Sequence, residues 1–284
     1  MTRLLALVLA AGFEAGCEAD PLPSRSAIDG LRVLAVRAEP PEMRPDQATT
    51  LTALVAPDRG LREGGFFGGA IGAAWTACVD PPGGDPLRCI GREDAFMLDP
   101  GSETTCPVPG FPCATLTLPA ETRPLDAVVG VVLHACAGNI DADAVPPFCE
   151  GTGAEAVTRV WISEAPVNGN PVVAAIRFGD VEVPAELLGI SIPACEAACP
   201  RFAVSVLPTD GSDETVVDAD GARREVLFVA FAADAGTFDV AFDAEEPFEA
   251  GFAPPSGEAD TRVWVVLHDD RGGVDFREFL VRTR

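Results

Sequence analysis

The chain has no lysine and no tyrosine, and its only histidines are His134 and His268. One histidine in each half cannot complete a histidine-based zinc site, and the metalloprotease pattern H-E-x-x-H does not occur. The G-x-S-x-G, P-loop and Rossmann G-x-G-x-x-G patterns are also missing. These absences remove the common signatures of metal-dependent hydrolysis, acyl transfer and nucleotide binding. We therefore predict no catalytic residue, no metal site and no cofactor.

The first seventeen residues have the layout of a bacterial export signal. Arg3 precedes an apolar run of about ten residues, Leu4–Phe13, which is too short to cross a bilayer as a helix. Ala15–Gly16 then leads into Cys17, and this ending resembles a lipobox, in which signal peptidase II cuts before a lipid-bearing cysteine. Glu14 departs from that pattern, because lipoproteins usually carry an apolar residue there. We predict lipidation of Cys17; the alternative is an ordinary secretory signal in which Cys17 is a chance residue.

The cysteine count fits this prediction. The chain has nine cysteines, so lipidation of one leaves an even number, and exported chains form disulfides because the periplasm and the cell exterior are oxidising. Cys195 and Cys199 have no other cysteine nearby, so we expect a local disulfide, although C-x-x-x-C could also be read as a metal or redox motif. The six cysteines of the first half allow fifteen pairings, among which the sequence does not choose. The predicted disulfide cysteines are Cys78, Cys89, Cys106, Cys113, Cys136, Cys149, Cys195 and Cys199.

Acidic residues outnumber basic residues by 44 to 20, which gives a formal net charge of −24. Because like charges repel, this charge argues against nucleic acid and anionic lipid as partners. Apolar residues make up 48% of the chain, so a buried core can form, which argues against wholesale disorder. A length of 284 residues is enough for two ordinary domains.

Short strand patterns separated by Gly, Pro and Asp turns dominate the sequence, and no stretch of about twelve residues has a helical period. This punctuation predicts an all-β protein of two tandem Ig-like β-sandwich domains that follow a signal peptide and a short tether. The predicted strands are 31–39, 49–56, 71–79, 113–118, 127–136, 155–163, 172–178, 202–207, 225–232, 237–242, 261–269 and 274–282.

Two sequence echoes indicate that one domain is a duplicate of the other. The tetrapeptide VVLH of Val131–His134 recurs at Val265–His268, and LAVR of Leu34–Arg37 has a looser echo, AAIR, at Ala174–Arg177. The two offsets are similar, 134 and 140 residues. A rival echo of the tetrapeptide TRVW has a different offset, and both offsets cannot relate equivalent strands.

The polar, turn-rich connector APVNGNP separates the two halves. We predict a lipoprotein signal peptide at residues 1–16, a tether at 17–30, a first Ig-like domain at 31–166 and a second at 171–284.

Four segments carry a resemblance to a known group: LRVLAVRAEPPE, TTLTALVAP, the NGNP junction, and VWVVLHDDRGGVDF near the end. Together they resemble two-domain lipoproteins of myxobacteria and related bacteria, which are similar to Ig-like or PKD-like surface modules. The resemblance covers both domains, and its motifs are strands and turns. It implies a fold and an envelope location, and it transfers no catalytic residue, because none is established for the group.

The histidines and the acidic clusters each have a functional and a structural interpretation. His134 and His268 end equivalent apolar strands, which favours ordinary strand-end hydrogen bonding over a role as metal ligand or general base. Asp218 and Asp220 resemble the start of a calcium loop, but no spaced glutamate completes an EF-hand, so turn chemistry is the favoured interpretation.

The three tryptophans, Trp75, Trp161 and Trp264, lie in strand patterns. They could form a face that stacks on carbohydrate, but packing in the core is favoured, because an inward aromatic residue is common in Ig-like cores.

These observations predict a lipid-anchored, non-catalytic envelope protein with a structural or protein-interaction role. Its expected partners are the membrane, through the lipid on Cys17, and another envelope protein or glycan. Glu18 favours the outer membrane or cell surface, because it is not the aspartate that retains some lipoproteins at the inner membrane. A module that binds polysaccharide or peptidoglycan is the first alternative, and it requires an exposed tryptophan. A secreted hydrolase is the second, and it requires a polar pocket.

Overall fold

The structure is a computed structural model, and it describes residues 26–57, 71–80, 89, 94–101, 106–108, 111–119, 127–144, 146–183, 189–196, 199–218 and 221–284. Cys17 and the predicted tether up to residue 25 lie outside these ranges. The described part of the chain is all-β, as predicted. It includes no helix with the length and apolar character that crossing a bilayer requires.

The described residues of the first sandwich form eleven strands. One sheet has the order β1-β3-β7-β6, the facing sheet has the order β2-β11-β8-β4-β5, and β9 and β10 form a separate hairpin. The strands are β1 (Arg32–Glu39), β2 (Glu42–Met43), β3 (Ala48–Ala56), β4 (Gly72–Asp80), β5 (Phe96–Met97), β6 (Asp99–Pro100), β7 (Cys113–Thr117), β8 (Ala127–Ala137), β9 (Ile140–Asp141), β10 (Phe148–Cys149) and β11 (Thr152–Ile162).

In the second sandwich, twelve strands lie within the described ranges. Its sheets have the orders β13-β12-β15-β21-β19 and β14-β23-β22-β18-β20, and β16 and β17 form a hairpin. The strands are β12 (Val173–Phe178), β13 (Val181–Val183), β14 (Gly189–Ile192), β15 (Phe202–Pro208), β16 (Thr215–Asp218), β17 (Gly221–Arg224), β18 (Phe228–Ala233), β19 (Thr237–Phe238), β20 (Phe242–Asp243), β21 (Phe248–Ala253), β22 (Ala259–His268) and β23 (Val274–Thr283).

The long strands of the two sandwiches have the same order. In each, the first long strand pairs with the second in one sheet, and a short strand crosses to the other sheet, where it runs parallel to the last strand: β2 beside β11, and β14 beside β23. The two sheets correspond to the ABED and CFG sheets of an Ig-like sandwich. The prediction of Ig-like β-sandwiches is confirmed.

The duplicated segments occupy equivalent strands. Val131–His134 lies in β8 and Val265–His268 in β22, which are the central strands of the equivalent sheets. The LAVR and AAIR echoes lie in β1 and β12, and the strand register slips at the same place in both, between Val33 and Ala35 and between Val173 and Ala175. The rival TRVW echo relates β11 to β22, which are not equivalent.

Each sandwich has its own core, formed by alternate residues of facing strands. β8 is buried on both faces: Val131 and Leu133 point into the core, and Val132 packs under the Cys78–Cys89 disulfide. β22 is also buried on both faces, but its outer residues pack against the other sandwich.

One predicted strand is wrong. Residues 237–242 were expected to form one continuous strand, but they split into β19 and the start of β20, which belong to opposite sheets. A chain that crosses from one sheet to the other cannot keep a single ladder of hydrogen bonds, so the apparent strand pattern spans a sheet switch.

Candidate functional site at the domain junction

The outer faces of two sheets, one from each sandwich, pack together. Along β3, Leu51, Ala53 and Val55 enter the first core, whereas Leu54 and Ala56 face the second sandwich. A sheet face that meets water normally carries polar residues, so apolar residues on both faces of β3 require a second layer. The buried residues of this interface are Ile28, Ala35, Leu54, Ala56, Ala232, Trp264, Val266 and Val274.

Trp264 lies at the centre of the apolar interface and is completely buried. Its indole Nε1–H donates to Glu278 Oε2 at 2.9 Å, and Arg262 Nη1 donates to the other carboxylate oxygen at 3.1 Å. The single polar atom of the indole is therefore satisfied at the edge of the interface, and the ring is left to pack.

The segment that precedes β1 connects the two sandwiches in a different way. Ala27 and Ala233 form a parallel bridge, in which Ile28 N–H donates to the Ala233 carbonyl and Ala233 N–H donates to the Ser26 carbonyl. The chain thus pairs with the second sandwich before it enters the first, so both ends of the first sandwich are joined to the second.

Arg271, in the turn between β22 and β23, connects two buried glutamates from different sandwiches. Its Nη2 lies 3.0 Å from Glu42 Oε2 at the start of β2, and its Nη1 lies 3.3 Å from Glu225 Oε1. Glu42 Oε2 also accepts the backbone N–H groups of Val167 and Asn168, at 3.0 and 2.8 Å. One guanidinium therefore joins both sandwiches and the connector between them.

A second polar contact involves Asp275 at the start of β23. Its Oδ1 accepts from Arg37 Nη1 of the first sandwich at 3.1 Å, and its Oδ2 accepts from the backbone of Val173 at 2.8 Å. Beside it, the Asn170 side chain donates to the Ala38 carbonyl and accepts from Val274 N–H. The side-chain amide of Asn170 thus links the backbone of β1 in the first sandwich to the backbone of β23 in the second.

The turn that carries Arg271 is fixed by Asp269 and two glycines. Asp269 Oδ1 accepts the N–H groups of Arg271 and Gly273, both at 2.8 Å. Gly272 has a positive φ of 96°. A Cβ on Gly273 would lie 2.1 Å from Asp269 Oδ2 and 2.9 Å from the Gly169 carbonyl oxygen. Only glycine fits where the turn meets the connector.

Burial and charge act in opposite directions on these carboxyl groups. Burial alone would raise the pKa of Glu42, but its hydrogen bonds and the Arg271 charge lower the pKa below its usual value. Burial, together with the neighbouring Asp269, raises the pKa of Glu225, and burial raises the pKa of Asp269. The hydrogen bonds of Glu42, with a smaller contribution from the Arg271 charge, thus more than offset its burial, whereas Glu225 and Asp269 are held at an electrostatic cost.

Where the two sheet faces diverge, they leave a groove of about 880 Å³. Phe111 and Phe276 form its apolar part, with ring centroids 5.8 Å apart. The charged side chains that line it are largely engaged with each other: Arg262 with Glu278, and Arg37 with Asp275. The groove therefore presents paired charges beside aromatic rings.

The structure pairs the cysteines with near neighbours in sequence. The disulfides are Cys78–Cys89, Cys106–Cys113, Cys136–Cys149 and Cys195–Cys199. Three of them fasten loops to strands of the first sandwich, which the count alone could not assign. Disulfides indicate an exported protein, because the cytosol keeps thiols reduced.

His268 ends β22 as expected, whereas His134 lies inside β8, which continues to Ala137. His134 Nδ1 lies 2.9 Å from Glu155 Oε1 across the sheet, and the ring of His268 stacks on Phe228. Burial lowers the pKa of His268 to about 4, so this ring is neutral at pH 7. Within the described ranges, no three His, Cys, Asp or Glu side chains come together in a way that could hold a metal ion. Asp220, part of the possible calcium loop, lies outside those ranges.

The tryptophans divide between packing and exposure. Trp75 is buried in the first core and Trp264 at the junction, as favoured. Trp161 differs: 37% of its surface is exposed, on the outer face of β11. Arg159, two residues earlier, is exposed on the same face.

The sequence analysis interprets the four quoted motifs as strands and turns. It does not predict that residues of three of them come into contact at the domain junction. Glu39 and Glu42 belong to the segment LRVLAVRAEPPE, Asn170 to NGNP, and Arg271 and Asp275 to DDRGGVD. The sequence does show short polar residues and glycines beside strand ends, which could have indicated a polar contact site. It does not show what they contact, because their hydrogen-bond partners are more than a hundred residues away in the chain.

Solved structures that are similar to this chain have low sequence identities and low TM-scores. The fibronectin(III)-like modules of CbhA from Clostridium thermocellum are 12% identical, with a TM-score of 0.29, over 89% of this chain and 94% of theirs. The N-terminal Ig1-2 module of the Drosophila receptor protein tyrosine phosphatase DLAR is 6% identical, with a TM-score of 0.27, over 90% and 99%. The adhesin InvE of Yersinia pseudotuberculosis is 11% identical, with a TM-score of 0.23, over 87% and 58%.

No protein-family model and no curated protein matches the chain. The fold assignment therefore depends on the strand order described above.

Replacement of Arg271 by alanine tests the polar contact at the junction. The change leaves Glu42 and Glu225 buried without their shared cation, so we expect the free energy of unfolding to fall by roughly 3–5 kcal/mol. Urea unfolding, followed by tryptophan fluorescence, measures the loss and also reports on Trp264 at the interface. Arg201→Ala, which removes an exposed 2.9 Å pair with Asp239, is the matched control and should cost less than about 1 kcal/mol. Equal losses in the two variants would show that the Arg271 contact does not stabilise the junction.

Proposed function

We propose that the chain is a non-catalytic, lipid-anchored envelope protein that holds two Ig-like domains in one fixed arrangement, for spacing or for docking onto another envelope component. The observation that carries this proposal is the junction, where an apolar interface and two buried polar contacts join the sandwiches. Domains in one chain move relative to each other unless their interface is large and apolar. A fixed pair of domains suits the presentation of loops and strand edges at a set place.

Lipidation of Cys17 supports an attachment to the outer membrane or cell surface. It accounts for the ninth cysteine, since the other eight are paired. Residues 1–16 would then be removed, with domains at 31–166 and 171–284. The tether predicted at residues 17–30 would be shorter and end at residue 25, because Ser26 and Ile28 are hydrogen-bonded to Ala233 of the second sandwich. Ser26 is already hydrogen-bonded to Ala233, so the stretch from Cys17 to Ser26 can reach at most about 30 Å. The anchor would thus keep the junction close to the membrane.

Metabolic labelling with a radioactive or alkyne-bearing fatty acid tests the anchor. We expect the wild-type chain to take up lipid and the Cys17→Ala variant to take up none, because the thiol is the acceptor. Protease added to intact cells should remove the wild-type protein if it lies at the surface. An unlabelled wild-type chain that is secreted in soluble form would contradict the proposal and favour the plain secretory signal.

Binding of peptidoglycan or another envelope polysaccharide is a second candidate function, and the exposure of Trp161 favours it. An exposed indole can stack on a sugar ring, and the neighbouring Arg159 can donate hydrogen bonds to hydroxyl or carboxylate groups.

Co-sedimentation with purified insoluble peptidoglycan tests this second function. We expect Trp161→Ala to weaken binding by about tenfold or more, through loss of the stacking surface. Phe148→Ala, at an aromatic residue that is 60% exposed elsewhere in the first sandwich, is the control and should leave binding unchanged. If the wild-type chain stays in the supernatant, or if both variants bind alike, Trp161 has no such role.

A further inference from the structure

One carboxylate oxygen at the domain junction has no hydrogen-bond donor. Asp269 is 3% exposed, and its Oδ1 accepts two N–H groups of the turn between β22 and β23, but no described group donates to its Oδ2. A buried carboxylate oxygen without a donor is costly, because it has lost its hydration and gained no bond in return. The oxygen therefore needs a partner that the neighbouring side chains do not supply.

The unpartnered oxygen borders a second acceptor. A Cβ placed on Gly273 would lie 2.1 Å from Asp269 Oδ2 and 2.9 Å from the Gly169 carbonyl oxygen, so both oxygens border the same point. No described N–H or O–H group donates to the Gly169 carbonyl either. Asn168, the residue before it, does not supply a donor, because both polar atoms of its buried side chain are also without a partner. Two buried acceptors that border each other repel, and a proton between them would turn that repulsion into a hydrogen bond.

Acidic groups outnumber cations around this turn. Arg159 meets the turn through its backbone carbonyl, and the other two cations are already paired, Arg223 with Asp270 and Arg271 with two buried glutamates. The carboxylate of Asp269 thus has no cation among the described groups. The charged and titratable groups that border the turn, element by element, are Glu42 on β2, Arg159 on β11, Glu214 before β16, Arg223 on β17, Glu225 after β17, and His268, Asp270 and Arg271 around the turn itself.

The surroundings of Asp269 favour its neutral form. Burial, more than the nearby Asp270, raises the pKa of Asp269 above its usual value. The N–H groups on Oδ1 oppose this shift only in part, and Oδ2 has no described donor that would oppose it. A neutral carboxyl group has an O–H that can donate, so protonation removes a buried charge and satisfies two acceptors at once.

We propose that Asp269 takes up a proton at the domain junction, and that the protonated carboxyl group donates to the Gly169 carbonyl and strengthens the contact between the two sandwiches. The proton passes from solvent to Oδ2, and Oδ1 keeps its two N–H groups. Because Arg271 lies in the same turn, the proton also fixes the residue that joins the sandwiches. The junction is thus tighter in mild acid than at neutral pH, independently of the lipid anchor and of any ligand.

The groups near the turn respond to pH in opposite directions. Asp269 and Glu225, whose pKa values are raised, contribute stability at low pH that is lost as the pH rises above their ordinary pKa values of 3.8 and 4.5. Glu42, whose pKa is lowered, contributes stability above its ordinary pKa of 4.5 that is lost as the pH falls. His268 also loses stability as the pH falls from 6.5 to about 4, because only the unfolded chain then binds the proton. The contribution of Asp269 is therefore measured as a difference between two variants.

Thermal unfolding from about pH 7.5 to about pH 5 tests the proton, with the full-length Cys17→Ala chain as the parent and Asp269→Asn as the variant. Asparagine keeps the Oδ1 acceptor and supplies an N–H donor without charge. As the pH falls over this range, we expect the Tm of the parent to rise relative to that of the variant by about 2–4 °C. The variant should be at least as stable as the parent at neutral pH.

Asp141→Asn is the matched control. Asp141 also accepts the N–H of the residue two positions later, but it is exposed in the first sandwich, so this variant should follow the parent at every pH. A second readout needs no variant: the carbon-13 resonance of the Asp269 carboxyl group should titrate above 3.8, the ordinary pKa.

Three results would overturn the proposal. The first is a pair of parallel curves for the parent and Asp269→Asn, or a variant that is less stable than the parent at neutral pH. The second is an Asp269 resonance that titrates at or below its ordinary pKa. The third is a parent chain that millimolar calcium stabilises at neutral pH while Asp269→Asn does not respond, which would assign Oδ2 to a bound cation.

Discussion

The contact of Arg271 with Glu42 and Glu225 is the constraint on which the arrangement of the two sandwiches depends. Glu42 and Arg271 are 229 residues apart in the chain, and the guanidinium offsets part of the cost of burying the two glutamates. Such a contact stabilises only when its partners are held in place, because desolvation of three charged groups has to be offset. Asp269, Gly273 and the connector provide that support. The positions of the turn, the connector and β2 therefore depend on one another.

The apolar interface and the polar contacts have different roles. Burial of Trp264 and its neighbours provides a general attraction, which would tolerate small slides of one sheet over the other. The hydrogen bonds of Asn170 and Asp275 have fixed directions, and they set the register between β1 and β23. A fixed register distinguishes this pair of domains from tandem domains on a flexible linker, and it explains how duplicated sandwiches could become one structural unit.

A comparison of the two sandwiches shows which features are common to both and which are special to one. The central strands β8 and β22, and the bulges in β1 and β12, are shared. The connection after the central strand differs: in the first sandwich it is a hairpin fastened by Cys136–Cys149, whereas in the second it is the tight turn with Arg271. The same position therefore extends into solvent in one domain and joins the domains in the other.

Much of the fold could be predicted from the sequence, because strand patterns are local. Alternation and turn residues predicted most of the long strands, and the VVLH echo predicted equivalent central strands. The sheet switch at residues 237–242 was not predictable, since nothing local distinguishes a strand from a crossing between sheets. The junction was not predictable either: Leu54 and Trp264 look like core residues, and no local pattern tells an inner face from a second buried face. The exposure of Trp161 was not predictable for the same reason, since the local pattern does not show which face of β11 meets solvent.

The central claim is that the two sandwiches form one rigid body. The most direct test is the distribution of distances between spin labels at Phe148 and Val181, two exposed positions in different sandwiches, attached through non-natural amino acids so that the disulfides stay intact. Double electron–electron resonance should give one narrow distance distribution. A broad or two-peaked distribution would contradict the claim, because it would mean that the domains move relative to each other.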